Sequence, residues 1–300
     1  MKPLLIILIG AASFSCGRNT AVDSLENPTK KIKVLLESFH DPVKDGGNVD
    51  YGSKISDNTH INRLFFNRRG RMVERSIFNS LGDIASKETF RYDENGDTVE
   101  HAVLQTNGSV IHRTTNKFDS SHLIVESLEF DEREKLIGKQ ISGSDSMGNH
   151  KLTYYRLLNN TFIKTTEVVS YDNRRDCYTF INGVLTNGKH MVYDDDGNLQ
   201  GTIQDDPIRN EQSRVRYTYD EHGNKIGMVA LMSNLITSKV ASRYDSMNNI
   251  IETSTYGVMG NMISNQKHVY EFDAQGNWTR QVILVNNKPS SVILHKIEYY

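Results

Sequence analysis

The residues best suited to chemistry are acidic, and they recur. Asp194-Asp195-Asp196-Gly197-Asn198 sets three carboxylates, a glycine and an amide in five positions, which superficially resembles an oxygen-ligand loop for Ca²⁺. A full loop of that kind also needs a bidentate Glu at its far end. None stands there, and the other ligand positions vary from copy to copy. The ten His are scattered singly. No His-Glu-x-x-His, Gly-x-Ser-x-Gly, P-loop or Gly-x-Gly-x-x-Gly is present. Two carboxylates converging from distant copies could still work on a glycosidic bond, but nothing singles out such a pair. The expectation is a protein without a metal, without a cofactor and without an enzymatic activity.

One thiol does sit where chemistry is expected. Lys2 precedes an apolar stretch from Leu4 to Phe14, about half the roughly twenty residues that span a bilayer. Ser13-Phe14-Ser15-Cys16-Gly17 then resembles a lipobox, which implies a diacylglycerol-modified, acylated Cys16. A lipobox usually carries an aliphatic residue where Ser13 stands, and Ser13 with Ser15 also satisfies an ordinary signal peptidase. Residues 1–15 therefore read as a signal peptide of lipoprotein type, and residues 16–30 as a polar tether. The expected location is the cell envelope, lipid-anchored at the outer membrane, with a secreted or periplasmic protein as the alternative. The chain has two cysteines. Lipidation of Cys16 would leave Cys177, in the strand-like Cys177-Tyr178-Thr179-Phe180-Ile181, without an intramolecular partner.

The elements that must carry these residues follow from a repeat. Tyr92-Asp93-Glu94-Asn95-Gly96-Asp97, Tyr193-Asp194-Asp195-Asp196-Gly197-Asn198, Tyr219-Asp220-Glu221-His222-Gly223-Asn224 and Phe272-Asp273-Ala274-Gln275-Gly276-Asn277 are its fullest copies. Weaker ones begin at Phe66, Phe118, Ser144, Tyr171 and Tyr244, and Tyr299 leads into one more; successive copies lie 22 to 28 residues apart. The motif makes sense as a turn. Asp at its head accepts from the backbone two residues on, and Gly supplies the positive φ that closes a type I turn with a G1 bulge. His122 and Asn248 stand where Gly is missing. Asp93, Gly96, Asp194, Gly197, Asn198, Asp220, Gly223, Asn224, Asp273, Gly276 and Asn277 are thus structural turn residues, and their carboxylates are no longer evidence for a metal.

The aromatic before each Asp ends a strand of period two. Val215, Tyr217 and Tyr219 share one face, while Arg216 and Thr218 point to the other. A looser turn signal lies half a period on, as at Asn107-Gly108, Asn159-Asn160, Ser233-Asn234 and Asn286-Asn287. Each unit of about 26 residues is then a hairpin. Lys31 to Asn62 reads as a leading hairpin with Asp45-Gly46-Gly47 at its turn, although Lys30 to Glu37 could form a short helix. Pro28, Pro42, Pro207 and Pro289 all fall, on this reading, in tethers or turns.

The recurring Tyr-Asp-x-x-Gly-Asn resembles the YD-repeat, or RHS-repeat, family, and Gly276-Asn277-Trp278-Thr279-Arg280 is similar to a frequent variant of its mark. The resemblance runs from Phe66 to the C-terminus. It implies an all-β, antiparallel meander of hairpin units over residues 31–300. Large members form a spiralling shell around a toxic domain; this chain is more similar to small lipoproteins carrying the same repeat. About twenty strands would make a flat sheet roughly 95 Å wide, so a curled or spiralled sheet with edges at the chain ends is expected. Charge is nearly balanced at −2, which gives no footprint for nucleic acid. The expected function is a membrane-anchored, non-catalytic binding or scaffold module for a protein or polysaccharide. An accessory of a toxin or secretion system is the alternative that the family resemblance implies.

Overall fold

A computed structural model describes residues 31–300, except 46–47, 55–60, 80 and 209. Signal peptide, tether, Cys16 and Pro28 lie outside the described residues. The chain forms β1 (Ile32–Asp45), β2 (Asn48–Lys54), β3 (Ile61–Phe66), β4 (Met72–Phe78), β5 (Ile84–Tyr92), β6 (Thr98–Leu104) and β7 (Val110–Phe118). It continues through β8 (Ile124–Asp131), β9 (Leu136–Ser144), β10 (His150–Leu158), β11 (Thr161–Ser170), β12 (Arg174–Ile181), β13 (Val184–Tyr193) and β14 (Leu199–Asp206). The last strands are β15 (Glu211–Tyr219), β16 (Lys225–Met232), β17 (Leu235–Tyr244), β18 (Ile250–Tyr256), β19 (Met262–Phe272), β20 (Trp278–Val285) and β21 (Lys288–Tyr299). The start of the repeat domain is a strand and not a helix.

From β3 to β21 every strand pairs antiparallel with the next, as a hairpin repeat requires. The turns are those the motif calls for. Asp93 N–H donates to Asp97 O at 3.0 Å and Gly96 N–H to Asp93 O at 3.2 Å; the Asp220 and Asp273 turns repeat the pattern. The head Asp side chain also caps the loop, with Asp220 Oδ1 accepting from His222 N at 3.0 Å and Asn224 N at 2.8 Å. The recurring Asn has a role too: Asn224 Nδ2 donates back to Asp220 Oδ2 at 3.0 Å. Positive φ falls on Gly223 (79°) and, as expected, on His122 (61°) and Asn248 (63°). At the opposite rim, Asn159-Asn160, Ser233-Asn234 and Asn286-Asn287 form two-residue turns with both φ positive, the geometry whose twist suits a hairpin. The Tyr171 copy differs: Tyr171 N–H reaches Arg174 O across a shorter turn, which accounts for the short spacing there.

The sheet does not stay open. β1 pairs with β21 from Ile32↔Tyr299 to His40↔Val292, and with β3 from Val34↔Phe65 to Ser38↔Ile61. This corrects the expected curled or spiralled sheet with free edges: β1 and β3–β21 close into a 20-strand barrel. Closure removes both edges and satisfies their backbone groups. Directly opposed residues, followed once around the ring, return to β1 displaced by about twenty residues, so shear equals strand number and the strands tilt by about 35°. With strands about 4.8 Å apart, the perimeter is about 115 Å, equivalent to a circle about 37 Å across. Past the ring, β1 runs on to pair with β2. Pro42 lies inside β1 at a register shift after His40, and Pro289 is the second residue of β21, which corrects their placement in turns. A missing N–H is tolerated at a bulge or a strand start.

Handedness decides which face is inside. Asp93 turns both backbone groups toward β6, so Arg91, Thr89 and Lys87 do likewise, whereas Tyr92, Phe90 and Glu88 turn theirs toward β4. With the right-handed tilt that L-residues impose, the first set projects outward and the second inward. Burial agrees: Arg216 and Thr218 are exposed, while Val215, Tyr217 and Tyr219 are half-buried. The aromatic stripe faces the lumen. Its hydroxyls tie strands together, with Tyr92 OH donating to Met72 O at 2.7 Å and Tyr219 OH to Leu199 O at 2.9 Å. One apolar core cluster, Ile32, Leu35 and Phe66 packed by Leu64, Met72, Ile297 and Tyr299, lies at the seam where the chain ends meet.

Candidate functional site, a lumenal belt across the seam

The inward positions beside the seam carry polar and aromatic groups in contact with one another. Closure sets Glu37 of β1 directly opposite His295 of β21 and Asn62 of β3. His295 Nε2 donates to Glu37 Oε2 at 3.1 Å, and Asn62 Nδ2 donates to Glu37 Oε1 at 3.1 Å. Arg75 donates to Asn62 Oδ1 through Nε at 3.4 Å and a terminal nitrogen at 3.3 Å. Arg75 also lies 3.9 Å from Glu88, as does His101, whose ring stacks on Phe90 at 4.8 Å. Further round, Glu129 lies 3.9 Å from His112 and 3.8 Å from Arg156.

On the other side of the seam the belt turns aromatic. Trp278 stacks on His295 with ring centres 3.5 Å apart, and Tyr270 meets Trp278 edge-on at 6.0 Å. Gln281 Nε2 donates to Tyr270 Oη at 2.7 Å and to His268 Nδ1 at 3.1 Å. Tyr270 Oη passes its own proton to Ile250 O at 3.0 Å. The Tyr270 and His268 rings are thus held by hydrogen bonds at their edges, which fixes their orientation.

Neither Glu37 nor Glu88 is poised to give up a proton near neutrality. The His295 hydrogen bond holds Glu37 below the usual carboxylate range against the opposing effect of burial, with Asn62 and Arg75 adding to it. The neighbouring His101 imidazole, with Arg75, does the same for Glu88. Burial pushes His268 down, consistent with an Nδ1 that accepts from Gln281. A glycosidic acid catalyst needs the opposite shift. The belt offers ionised acceptors, fixed amide donors and aromatic faces, which suits holding a hydroxyl-rich molecule.

The residues expected from sequence are not in this belt. Asp93, Gly96, Asp194, Gly197, Asn198, Asp220, Gly223, Asn224, Asp273, Gly276 and Asn277 all stand in turns at one rim, each Asp engaged by its own turn. Rim turns are also tied sideways, Asn224 Nδ2 to Asn248 Oδ1 at 2.9 Å and Asp97 to His122 at 2.7 Å. Among the described residues no group of three or more His, Cys, Asp or Glu could hold a metal. Sequence reading missed Glu37, Asn62, Arg75, Glu88 and His295. The alternation that sets each on one face of its strand was legible; that this face is the lumen, and that they meet, was not, because Glu37 and His295 lie 258 residues apart. Cys177 lies in β12, and the expectation for its thiol turns on Cys16, which lies outside the described residues.

The outer face carries charged side chains at mid-strand. Glu100, Arg113, Lys139, Lys239, Glu252 and Lys267 stand in the middle of their strands with outward parity. Each Arg or Lys facing lipid at mid-depth would cost about 2–4 kcal/mol. No helix among the described residues is long and apolar enough to cross a membrane.

No protein-family model matches the chain, and no curated protein matches it. Among solved structures, a porin-like protein from Bacteroides uniformis is similar over 90% of this chain and 98% of its own, at 11% identity and a TM-score of 0.35. A porin-like protein from Bacteroides vulgatus is similar over 90% of this chain and 99% of its own, at 14% identity and a TM-score of 0.32. A TcdB2-TccC3-Cdc42 structure is similar over 77% of this chain but 19% of its own, at 11% identity and a TM-score of 0.19. Scores of this size carry no functional argument.

Proposed function

We propose that this protein is a non-catalytic binding module of the cell envelope, tethered through a lipid on Cys16, whose lumen takes a polysaccharide segment. The observation that carries the reading is the lumenal belt, where Trp278 and Tyr270 present ring faces beside the fixed polar groups of Gln281, His268, Glu37 and Asn62. Aromatic faces cover the apolar side of a sugar ring while amides and carboxylates take its hydroxyls. Charged side chains on both faces support a barrel standing in water on its tether, with its wall outside the bilayer. β1 begins at the rim of Asp turns, beside Tyr299, so the tether would hold that rim toward the membrane.

The test uses a Cys16→Ala form for solubility. Glycan arrays followed by calorimetry should give saturable binding to an envelope or extracellular polysaccharide, and Trp278→Leu should weaken it about tenfold, a loss of about 1.4 kcal/mol. Absence of any saturable glycan, or a Trp278→Leu variant that binds as the parent does, overturns the proposal. Full-length protein should partition with membranes and take up labelled palmitate, and Cys16→Ala should do neither.

A further inference from the structure

A second feature, apart from the belt, lies on the outer wall. β17, β18 and β19 there form the floor of an open cleft of about 520 Å³. Its far wall is the Asn286-Asn287 turn between β20 and β21. The ladder from β19 to β20 ends at Gln266↔Val285, leaving the backbone of Asn265 without a strand partner on that side. The turn leans over to supply one: Asn286 N–H donates to Asn265 O at 2.7 Å, and Asn286 Oδ1 accepts from Asn265 N–H at 2.9 Å. These reciprocal bonds fix the turn above the wall.

The charges inside are arranged with one sign left over. Asn265, 8% exposed, donates its amide to Glu252 Oε1 at 2.8 Å and to Ser254 Oγ at 2.9 Å. Arg243 donates to the other oxygen of Glu252 at 2.9 Å. Both carboxylate oxygens of Glu252 are therefore engaged within the wall, and those bonds hold it ionised below the usual range. Lys267 Nζ is steadied by Asn287 Oδ1 at 3.0 Å. Two cations against one committed anion leave the cleft with excess positive charge and excess donors: Lys267, the remaining guanidinium N–H groups of Arg243 and the Asn287 amide. Tyr256 adds an aromatic wall, and Ala241 keeps the floor low.

We infer that this outer cleft binds a carboxylated saccharide, a uronic-acid unit whose carboxylate meets Lys267 and Arg243 while its ring lies against Tyr256. A cleft of this volume falls in the range of small-ligand sites. The carboxylate would take charge-assisted hydrogen bonds from cations already positioned, so little side-chain order is lost on binding. The site shares no residue with the lumenal belt, so Trp278→Leu leaves it intact and failure of either site does not touch the other.

Titration of the Cys16→Ala protein with tri-galacturonate and with a neutral trisaccharide tests the inference. Saturable binding at least tenfold tighter for the acidic sugar is expected, weakening as salt rises. Lys267→Gln should lose about tenfold, Ala241→Trp should fill the cleft and abolish binding, and both should keep the parent's circular dichroism. If Lys267→Gln or Ala241→Trp misfolds, Asn287→Asp, at an exposed turn, gives the same reading by adding a repelling carboxylate. No saturable binding, equal affinity for the neutral sugar, or folded variants that bind as the parent does would overturn it.

Discussion

Closure of the barrel rests on a small seam, and Leu35→Ala tests it. Leu35 is 3% exposed and sits with Ile32 and Phe66 in the core cluster, against Leu64 and Ile297 from the strands on either side. Truncating a buried Leu costs about 2–5 kcal/mol, depending on how far the surroundings collapse. The seam is one layer thick and can relax toward the lumen, so about 2–3 kcal/mol is expected. At about 2–4 °C per kcal/mol, the midpoint should fall by about 4–12 °C in calorimetry. Leu123→Ala, at a side chain 46% exposed, is the control and should change stability by less than about 1 kcal/mol. A cross-link gives the geometric half of the test. Leu36 and Lys296 are directly opposed across the seam, within reach of a disulfide in a closed ring. With Cys16 and Cys177 changed to Ser, the Leu36→Cys, Lys296→Cys pair should oxidise within one chain and shift its mobility on a non-reducing gel. A Leu35→Ala cost indistinguishable from the control, together with no intramolecular cross-link, would refute the closed ring and return the chain to an open spiral.

Three further outcomes follow from the same structure. Gly223→Val should cost about 1–3 kcal/mol more than Glu221→Val in urea denaturation, because Gly223 sits at φ 79° and a β-branched residue does not accept it; equal midpoints would remove the G1-bulge turn. Stability should fall as pH is lowered. Glu37, Glu88 and His268 all have folded values depressed below their unfolded ones, so their contribution is present above the unfolded values and is lost as protons are forced on, His268 first below about pH 6.5 and the carboxyls below about pH 4.5. A melting temperature that is flat or rising from pH 7 to pH 4 would contradict this. A chain with two cysteines cannot both acylate the Cys16 thiol and use it in a bond to Cys177. Intact mass of membrane-extracted protein should show the added acyl mass if Cys16 is lipidated; a disulfide with no lipid would leave the anchor unsupported.

The repeat, its turns and the parity of its strands were readable from the sequence because each depends on neighbours a few residues apart. Asp220 and Gly223 define a turn that needs nothing beyond itself, and even the replacements at His122 and Asn248 follow from which side chains accept a left-handed backbone. Val215, Tyr217 and Tyr219 share a face in any sheet. Which face that is, and whether the sheet has ends, depends on a sum over the whole ring. Twenty strands of equal tilt and register can spiral or close, and the local motif is the same in both. Only the tertiary structure brings β1 to β21, and with it Glu37 to His295 and Leu35 to Ile297. The outer cleft has the same origin: Asn265 and Asn286 each look like ordinary strand and turn residues until the ladder beside them ends. The sequence encodes the brick and its mortar line; the lumen and the cleft come from pairings whose partners no local pattern names.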